Sequence, residues 1–420
     1  MIQRQLRVMK FGGTSVGDAE CIRRVAEIIA DAALEGPIVA VISAMFGVTD
    51  RLIQAAHCAA TGDTIVASEI ATALRDSHYA VLDVLISDPH SHAMLAAEID
   101  HLANETATLC LEAAQRQELT PRLLDAVSSI GERLSTRIVA GVLREMEAPG
   151  VAIDATELII TNDLHGKAEP LMNQTRERAR ARLLPLLNEG AIPVVTGFIG
   201  ATTRSAITTL GRSGSDYSAT ILGAALDAER VVLWKDVDGI LTADPRIISD
   251  ARNQPSLSYG EATDLAWFGA KALHLKTLRP VMSAGIPVQI RNTFDTESPG
   301  TTITSRGDAR ESSVKAVAAL SRSRHKHSHD ANVAVVAVIG DGIRELPDIA
   351  SKVSLALESE GIITFGHKTS ESNISVVIEA AAVRRALAAL HSEFRLGELT
   401  PMPLIGVDLC KTYRQSAISI

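Results

Sequence analysis

Short apolar runs alternate with longer amphipathic stretches through the first three quarters of the chain. Residues 6–10 are largely apolar and lead into Gly12-Gly13-Thr14-Ser15, after which residues 19–34 carry apolar positions at helical spacing. Residues 37–43 form a continuous apolar run, the pattern of a strand buried on both faces of a parallel sheet. That order predicts strand, glycine turn, helix, strand. From residue 54 to 118, and again from 123 to 143, Ala and Leu recur between regular charges, which predicts helices. Strand-like runs return at 151–153, 192–198, 230–233 and 287–291, so sheet and helix alternate to about residue 304.

Between residues 305 and 330 the chain turns polar, with Ser-Arg-Ser-Arg-His-Lys-His-Ser-His at 321–329, which reads as a solvated linker. Beyond it the pattern gives a strand at 333–339, a helix at 346–360, strands at 362–365 and 374–378, and a helix at 381–393. With a closing strand near 404–409, this is a ferredoxin-like βαββαβ order. The expected organisation is a catalytic α/β unit over 1–304, a connecting segment over 305–331, and a smaller unit over 332–420.

Composition narrows the function. Of 420 residues, 46% are hydrophobic but only 3% aromatic, which suits helices packed on sheets and a chain of more than one domain. A formal charge of −9 argues against a nucleic-acid partner, because a duplex calls for a basic face. The four cysteines, Cys21, Cys58, Cys110 and Cys410, form no CxxC pair, so neither a disulfide framework nor a zinc site is expected. No apolar leader precedes the first strand and no run approaches the length that spans a bilayer, so a cytoplasmic protein is expected.

Four stretches gather Gly, Lys, Asp and hydroxyl residues where strands should end, the place where parallel sheets bind ligands beside helix N-termini. Lys10-Phe11-Gly12-Gly13-Thr14-Ser15 can cradle a phosphate or form a generic tight turn. Ser43 to Asp50 precedes a helix, where Thr49 and Asp50 read most simply as caps. Thr208 to Ala219, with Arg212, Ser215 and Asp216 in a glycine-rich loop, is costly unless it binds something charged. The fourth runs from Lys235-Asp236-Val237-Asp238-Gly239 through Asp244-Pro245-Arg246 to Gly269-Ala270-Lys271, with turn formation as the alternative for its aspartates.

In this order and at these separations the four stretches resemble the aspartokinases of the amino-acid kinase family, over about residues 7–304. The end of the chain resembles that family's ACT regulatory domain, especially Ser370 to Ser375 and Ala389 to Phe394. The resemblance implies a three-layer αβα sandwich with a largely parallel sheet, followed by an ACT domain. It implies phosphorylation of the L-aspartate side chain by ATP with Mg²⁺, the ion held largely by the phosphates. Lys10, Asp216 and Lys271 are then the catalytic residues, and Thr49, Glu132, Phe198, Arg212 and Ser215 form the aspartate pocket. Gly12, Gly13, Ser15, Asp236 and Arg246, together with Lys10 and Lys271, contact ATP. A homodimer or higher homo-oligomer through the ACT region is also implied.

The chain departs from the family pattern at Ser205, where glycine is frequent, at Leu241, where an aromatic is common, and at Leu275, where proline is usual. Lys235 replaces a smaller residue. Only about 115 residues follow Thr304, where the family has two ACT units; residues 314–320 resemble the opening strand of the other unit, and weak or absent feedback inhibition is expected. A kinase for another amino-acid carboxylate and a silent amino-acid-sensing subunit are the rival readings; retention of Lys10, Asp216 and Lys271 argues against the second.

Overall fold

The computed structural model describes residues 5–269, 273–307, 314–321 and 332–398. The chain opens with β1 (Arg7–Phe11), α1 (Ala19–Glu35) and β2 (Ile38–Ile42), as the apolar pattern predicts. Helices α2 (Val48–Ala60), α3 (Thr64–Leu85), α4 (Pro89–Arg116), α5 (Pro121–Ser128) and α6 (Ile130–Glu145) precede β3 (Gly150–Ile153). Then come β4 (Ile160–Thr161), α7 (Met172–Asn188), β5 (Ile192–Thr196), β6 (Ile199–Thr202), β7 (Ile207–Thr209), α8 (Gly214–Leu226) and β8 (Arg230–Lys235). This part closes with β9 (Ser256–Ser258), α9 (Tyr259–Trp267), α10 (Leu275–Met282), β10 (Val288–Asn292) and β11 (Thr301–Thr304).

One eight-stranded sheet runs β3-β5-β2-β1-β8-β10-β11-β9, parallel except where β11 meets β10. Alternation along its central strands sorts side chains between two cores. Leu6, Val8, Val231 and Leu233 face α7 and α8, whereas Met9, Phe11, Val232 and Trp234 face the α1 and α6 side. The result is the expected three-layer αβα sandwich. A small second sheet, β4-β6-β7, leaves no clear trace in the apolar pattern, because its strands are only two to four residues long.

The smaller unit contains β12 (Ala316–Ser321), β13 (Val333–Ile339), α11 (Pro347–Ser359), β14 (Thr364–Thr369), β15 (Asn373–Glu379) and α12 (Val383–Glu393). Its antiparallel sheet has the order β12-β13-β15-β14. Here the structure differs from the expectation for residues 314–320. Instead of opening another unit, β12 pairs antiparallel with β13, from Ala316 opposite Ile339 to Ser321 opposite Ala334. It fills the edge that the closing strand of a βαββαβ order takes, so this strand arrives from the amino-terminal side. The closing strand expected at 404–409 lies outside the described residues.

The two units are stitched together at the loop after β8. Val317 N donates to Thr242 O at 2.8 Å, and Thr242 Oγ1 lies 2.9 Å from His391 Nε2 on α12. Glu261 and Asp264 on α9 accept from Asp341 N, Ser372 Oγ and Asn373 Nδ2.

Candidate active site

A cavity of about 670 Å³ opens at the carboxyl ends of β1, β2 and β8, beside the first turn of α8. Lys10 leaves the penultimate position of β1 on the same face as Leu6 and Val8, and meets Asp216 in the first turn of α8. Lys10 Nζ lies 2.6 Å from Asp216 Oδ1, with the two residues 6% and 3% exposed. Burial pulls the Lys10 ammonium below its ordinary value; Asp216 opposes this and Lys235 reinforces it. Burial pushes the Asp216 carboxyl up, but the two lysines outweigh it and hold the group well below the usual carboxylate range. Asp216 is therefore a fixed anion held between two ammonium groups.

The opposite wall comes from α2 and α6. The backbone enters α2 through Gly47, which has a φ of 77° and makes no side-chain cap. Thr49 and Asp50 are therefore not caps, the simplest reading of the sequence; they sit in the first turn and line the cavity. Ser135 Oγ donates to Ser43 O at 2.6 Å, fixing α6 against the end of β2 and setting Glu132 into the cavity. Glu132 is 4% exposed, and its Oε2 has no hydrogen-bond partner among the described residues. Burial pushes its carboxyl up to about 8, against backbone hydrogen bonds and Lys10 that pull it down.

Arg212, Ser215 and Phe198 complete the enclosure. The loop before α8 bends through Gly211 at φ 80° and Ser213 at φ 56°, and Phe198 sits at φ 67°. Gly214 allows this approach, because a Cβ there would stand 2.5 Å from the Phe198 ring. Arg212 is exposed to the cavity mouth and has no ion-pair partner among the described residues. A guanidinium without an ion-pair partner among the described residues, a buried carboxyl with one orphan oxygen, and two lysines thus converge on one space.

The remaining expected site residues fall differently. Gly13 lines the cavity, and a Cβ there would press to 3.0 Å from Ala44 O; one at Gly12 would stand 3.4 Å from Lys10 Nζ. Ser15 is buried with its hydroxyl 2.7 Å from Thr293 Oγ1, so its side chain braces the sheet edge rather than facing the cavity. Asp236 is exposed at the end of β8. Arg246 pairs with Asp244 and lines a second cavity of about 390 Å³, walled by Leu241, Phe268 and the β12 residues Val317 to Ala319. Lys271 lies outside the described residues. Ser205 adopts a φ of 61°, which accounts for a glycine-tolerant position there, and Leu275 is the first residue of α10, where proline fits well.

One cavity residue escapes the sequence reading, and another is visible there only as a departure from the family pattern. Lys235, at the end of β8, reaches Asp216 Oδ2 at 2.7 Å. Asp125, buried on α5, accepts from Thr209 Oγ1 at 2.6 Å and from Gly166 N at 3.0 Å, and lies 2.8 Å from His165 Nδ1. It ties the loop at 162–168 to β7. A carboxylate between Leu124 and Val127 on an otherwise apolar helix face was its one visible signal. Among the described residues, no three His, Cys, Asp or Glu side chains converge as a metal cage.

A parallel sheet ending in a cavity lined by two lysines, an arginine and a buried carboxyl defines an α/β protein with a charged cleft of small-molecule size. The sequence model of the amino acid kinase family matches residues 5–292, and that of an ACT domain matches residues 336–394. The chain belongs to the amino acid kinase family. It is 34% identical over 377 residues to aspartokinase 1, chloroplastic, of Arabidopsis thaliana, covering 89% of this chain and 63% of that protein. It is 38% identical over 300 residues to the lysine-sensitive aspartokinase 3 of Escherichia coli, covering 71% and 64%. The chain thus spans just under two thirds of the length of these relatives. Among solved structures, E. coli aspartokinase III in complex with aspartate and ADP (R-state) superposes with a TM-score of 0.78 at 28% identity, covering 93% of this chain and 99% of that one.

Proposed function

We propose that this protein is an aspartate kinase, which transfers the γ-phosphoryl group of MgATP to the side-chain carboxylate of L-aspartate, giving 4-phospho-L-aspartate and ADP. This is the first step of aspartate-family amino-acid biosynthesis. The observation that carries the reading is the convergence of Arg212 and Glu132 with the Lys10 and Asp216 pair on one cavity. L-Aspartate carries an α-carboxylate for the Arg212 fork, an ammonium for Glu132, and a side-chain carboxylate to be turned toward Lys10. Thr49, Phe198 and Ser215 close around it.

The acceptor carboxylate is already ionised near pH 7, so no general base is needed. One of its oxygens forms the new bond to the γ-phosphorus. The bond from that phosphorus to the bridging oxygen breaks, and its electron pair leaves with ADP. What the protein supplies is position and positive charge. Lys10 neutralises the transferring group and Asp216 holds Lys10 in place. By resemblance Lys271 acts beside them. Gly12 and Gly13 let the backbone close on the phosphates, while Asp236 and Arg246 meet the nucleotide, whose base takes the second cavity. Mg²⁺ enters as part of the MgATP substrate and stays largely on the phosphates.

The unit boundary falls near residue 304, with β12 belonging to the regulatory side. Two copies pair through the ACT-like sheet. Its edge strand β14 is exposed along its length, and Ile363 and Phe365 are 73% and 63% exposed. Described cysteines Cys21, Cys58 and Cys110 are free, which suits a cytoplasmic protein. Among the described residues, no helix is long and apolar enough to cross a membrane.

The test is a substrate profile: ADP release with L-aspartate, L-glutamate and N-acetylglutamate as acceptors. The reading predicts turnover with aspartate well above the other two. Preference for another acid would replace the substrate, and no turnover with any would favour a silent sensing subunit.

A further inference from the structure

One carboxylate in the cavity is held by two lysines. Lys10 Nζ stands 2.6 Å from Asp216 Oδ1, and Lys235 Nζ stands 2.7 Å from Asp216 Oδ2. The sheet makes this arrangement. β1 and β8 are parallel neighbours, Lys10 lies opposite Leu233, and the two-residue repeat places Lys235 on the same α8-facing side as Val231 and Leu233. Two ammonium groups therefore emerge side by side from adjacent strand ends.

Asp216 alone does not call for both. Its charge is matched by Lys10, and it sits in the first turn of α8, where the helix favours an anion. With Lys235 the trio carries a net positive charge beside the cavity, which an anion entering it would offset. No other carboxylate in the cavity plays that part. Asp125 is occupied by Thr209, Gly166 and His165. Glu132, its carboxyl pushed up to about 8, is mostly neutral at pH 7. Asp50 is at the α2 wall, and Asp236, the weakest of the influences on Lys10, is exposed to solvent. Lys235 itself lines the cavity and begins the loop that leads to Arg246, so it stands between the acceptor pocket and the nucleotide loop.

Resting on the aspartate-kinase reading, we infer that Lys235 is a further phosphoryl-binding lysine beside Lys10: its ammonium donates to an oxygen of the γ-phosphoryl group of ATP as that group passes to the acceptor. Asp216 is then a cradle that spaces two lysines when the site is empty. When ATP enters, the γ-phosphoryl oxygens take over the surplus charge, and Lys10 and Lys235 approach from neighbouring strands. ADP lacks that group and offers Lys235 little.

The experiment compares wild type with Lys235→Met and Lys235→Arg by calorimetric binding of Mg²⁺-AMP-PNP and Mg²⁺-ADP, with kcat and KM for aspartate beside them. Loss of one charge-assisted contact weakens AMP-PNP by about tenfold or more in Lys235→Met, leaving ADP affinity within about twofold. On the same grounds kcat falls by at least about tenfold, KM for aspartate changes little, and Lys235→Arg recovers part of both losses. An unchanged ratio of AMP-PNP to ADP affinity overturns the inference, whether both nucleotides bind normally or both are lost through a merely structural effect. The two readings separate cleanly, because the nucleotide ratio judges Lys235 even if the wild type proves to prefer another acceptor acid.

Discussion

Lys10 and Asp216 form a 2.6 Å ion pair from a strand end to a helix start, buried under the floor of the main cavity. Lys10→Ala removes one of two cations on Asp216 and leaves Lys235 in contact, so the fold survives. Turnover does not. By analogy with the loss of one positioned transition-state donor, kcat drops by about 10²- to 10³-fold. Steady-state kinetics and a thermal melt on the same sample check it; a variant retaining more than a tenth of wild-type kcat would contradict the role.

If aspartate binds as proposed, Glu132 should make its binding depend on pH. Its carboxyl is pushed up to about 8 in the empty pocket, and the substrate ammonium requires it ionised, so binding releases a proton at pH 7. KM for aspartate should fall as pH rises toward about 8 and then level. Glu132→Gln flattens this dependence and raises KM by about 10- to 100-fold through the lost charge-assisted hydrogen bond. Calorimetry in buffers of different ionisation enthalpy detects the proton directly.

The same group affects stability with the opposite sense. Because the folded carboxyl keeps its proton between about 4.5 and about 8 while the unfolded one does not, unliganded stability declines as pH rises through that window. Glu132→Gln should therefore out-melt wild type by most at pH 8 and by least at pH 5.

His391 couples acid to the joint between the units. Buried on α12 against Thr242, its imidazole is held below the ordinary value by burial, with Asp250 at 3.8 Å opposing only in part. The unfolded chain takes up a proton first, so this contribution is present above about pH 6.5 and is lost as pH falls below it. Wild type should lose thermal stability from pH 7 to 5.5. His391→Gln should lose less over that range, although His78, also buried and shifted down, keeps part of the slope.

Phe365 on edge strand β14 tests the proposed pairing of two chains. Phe365→Asp should shift the mass measured by light scattering from dimer to monomer and leave the kinase unit folded. An unchanged mass would place the interface elsewhere.

How much of this was legible in the sequence depends on how far each signal reaches. The unit from β1 to β2 was plain, because unbroken apolar runs and a glycine pair are local. So was the convergence of Lys10, Arg212 and Asp216, since parallel strands bring their carboxyl ends to one edge. What failed was non-local. The cap reading of Thr49 and Asp50 gave way to a left-handed Gly47; the contact of the Ser15 hydroxyl with Thr293, nearly the whole kinase unit away in sequence, had no local signal either. The pairing of β12 with β13 depends on a long connection that has no periodicity of its own. Lys235 was visible as a departure, but its partner became apparent only once β1 and β8 were known to be neighbours.

The central claim is that this cavity makes an acyl phosphate on aspartate. Incubating the protein with L-aspartate, MgATP and hydroxylamine, beside Lys10→Ala, tests it most directly, since hydroxylamine traps the phosphoanhydride as aspartyl hydroxamate. The account predicts hydroxamate that requires both aspartate and ATP and disappears in the variant. ATP consumed without hydroxamate, or equal hydroxamate from the variant, would contradict it.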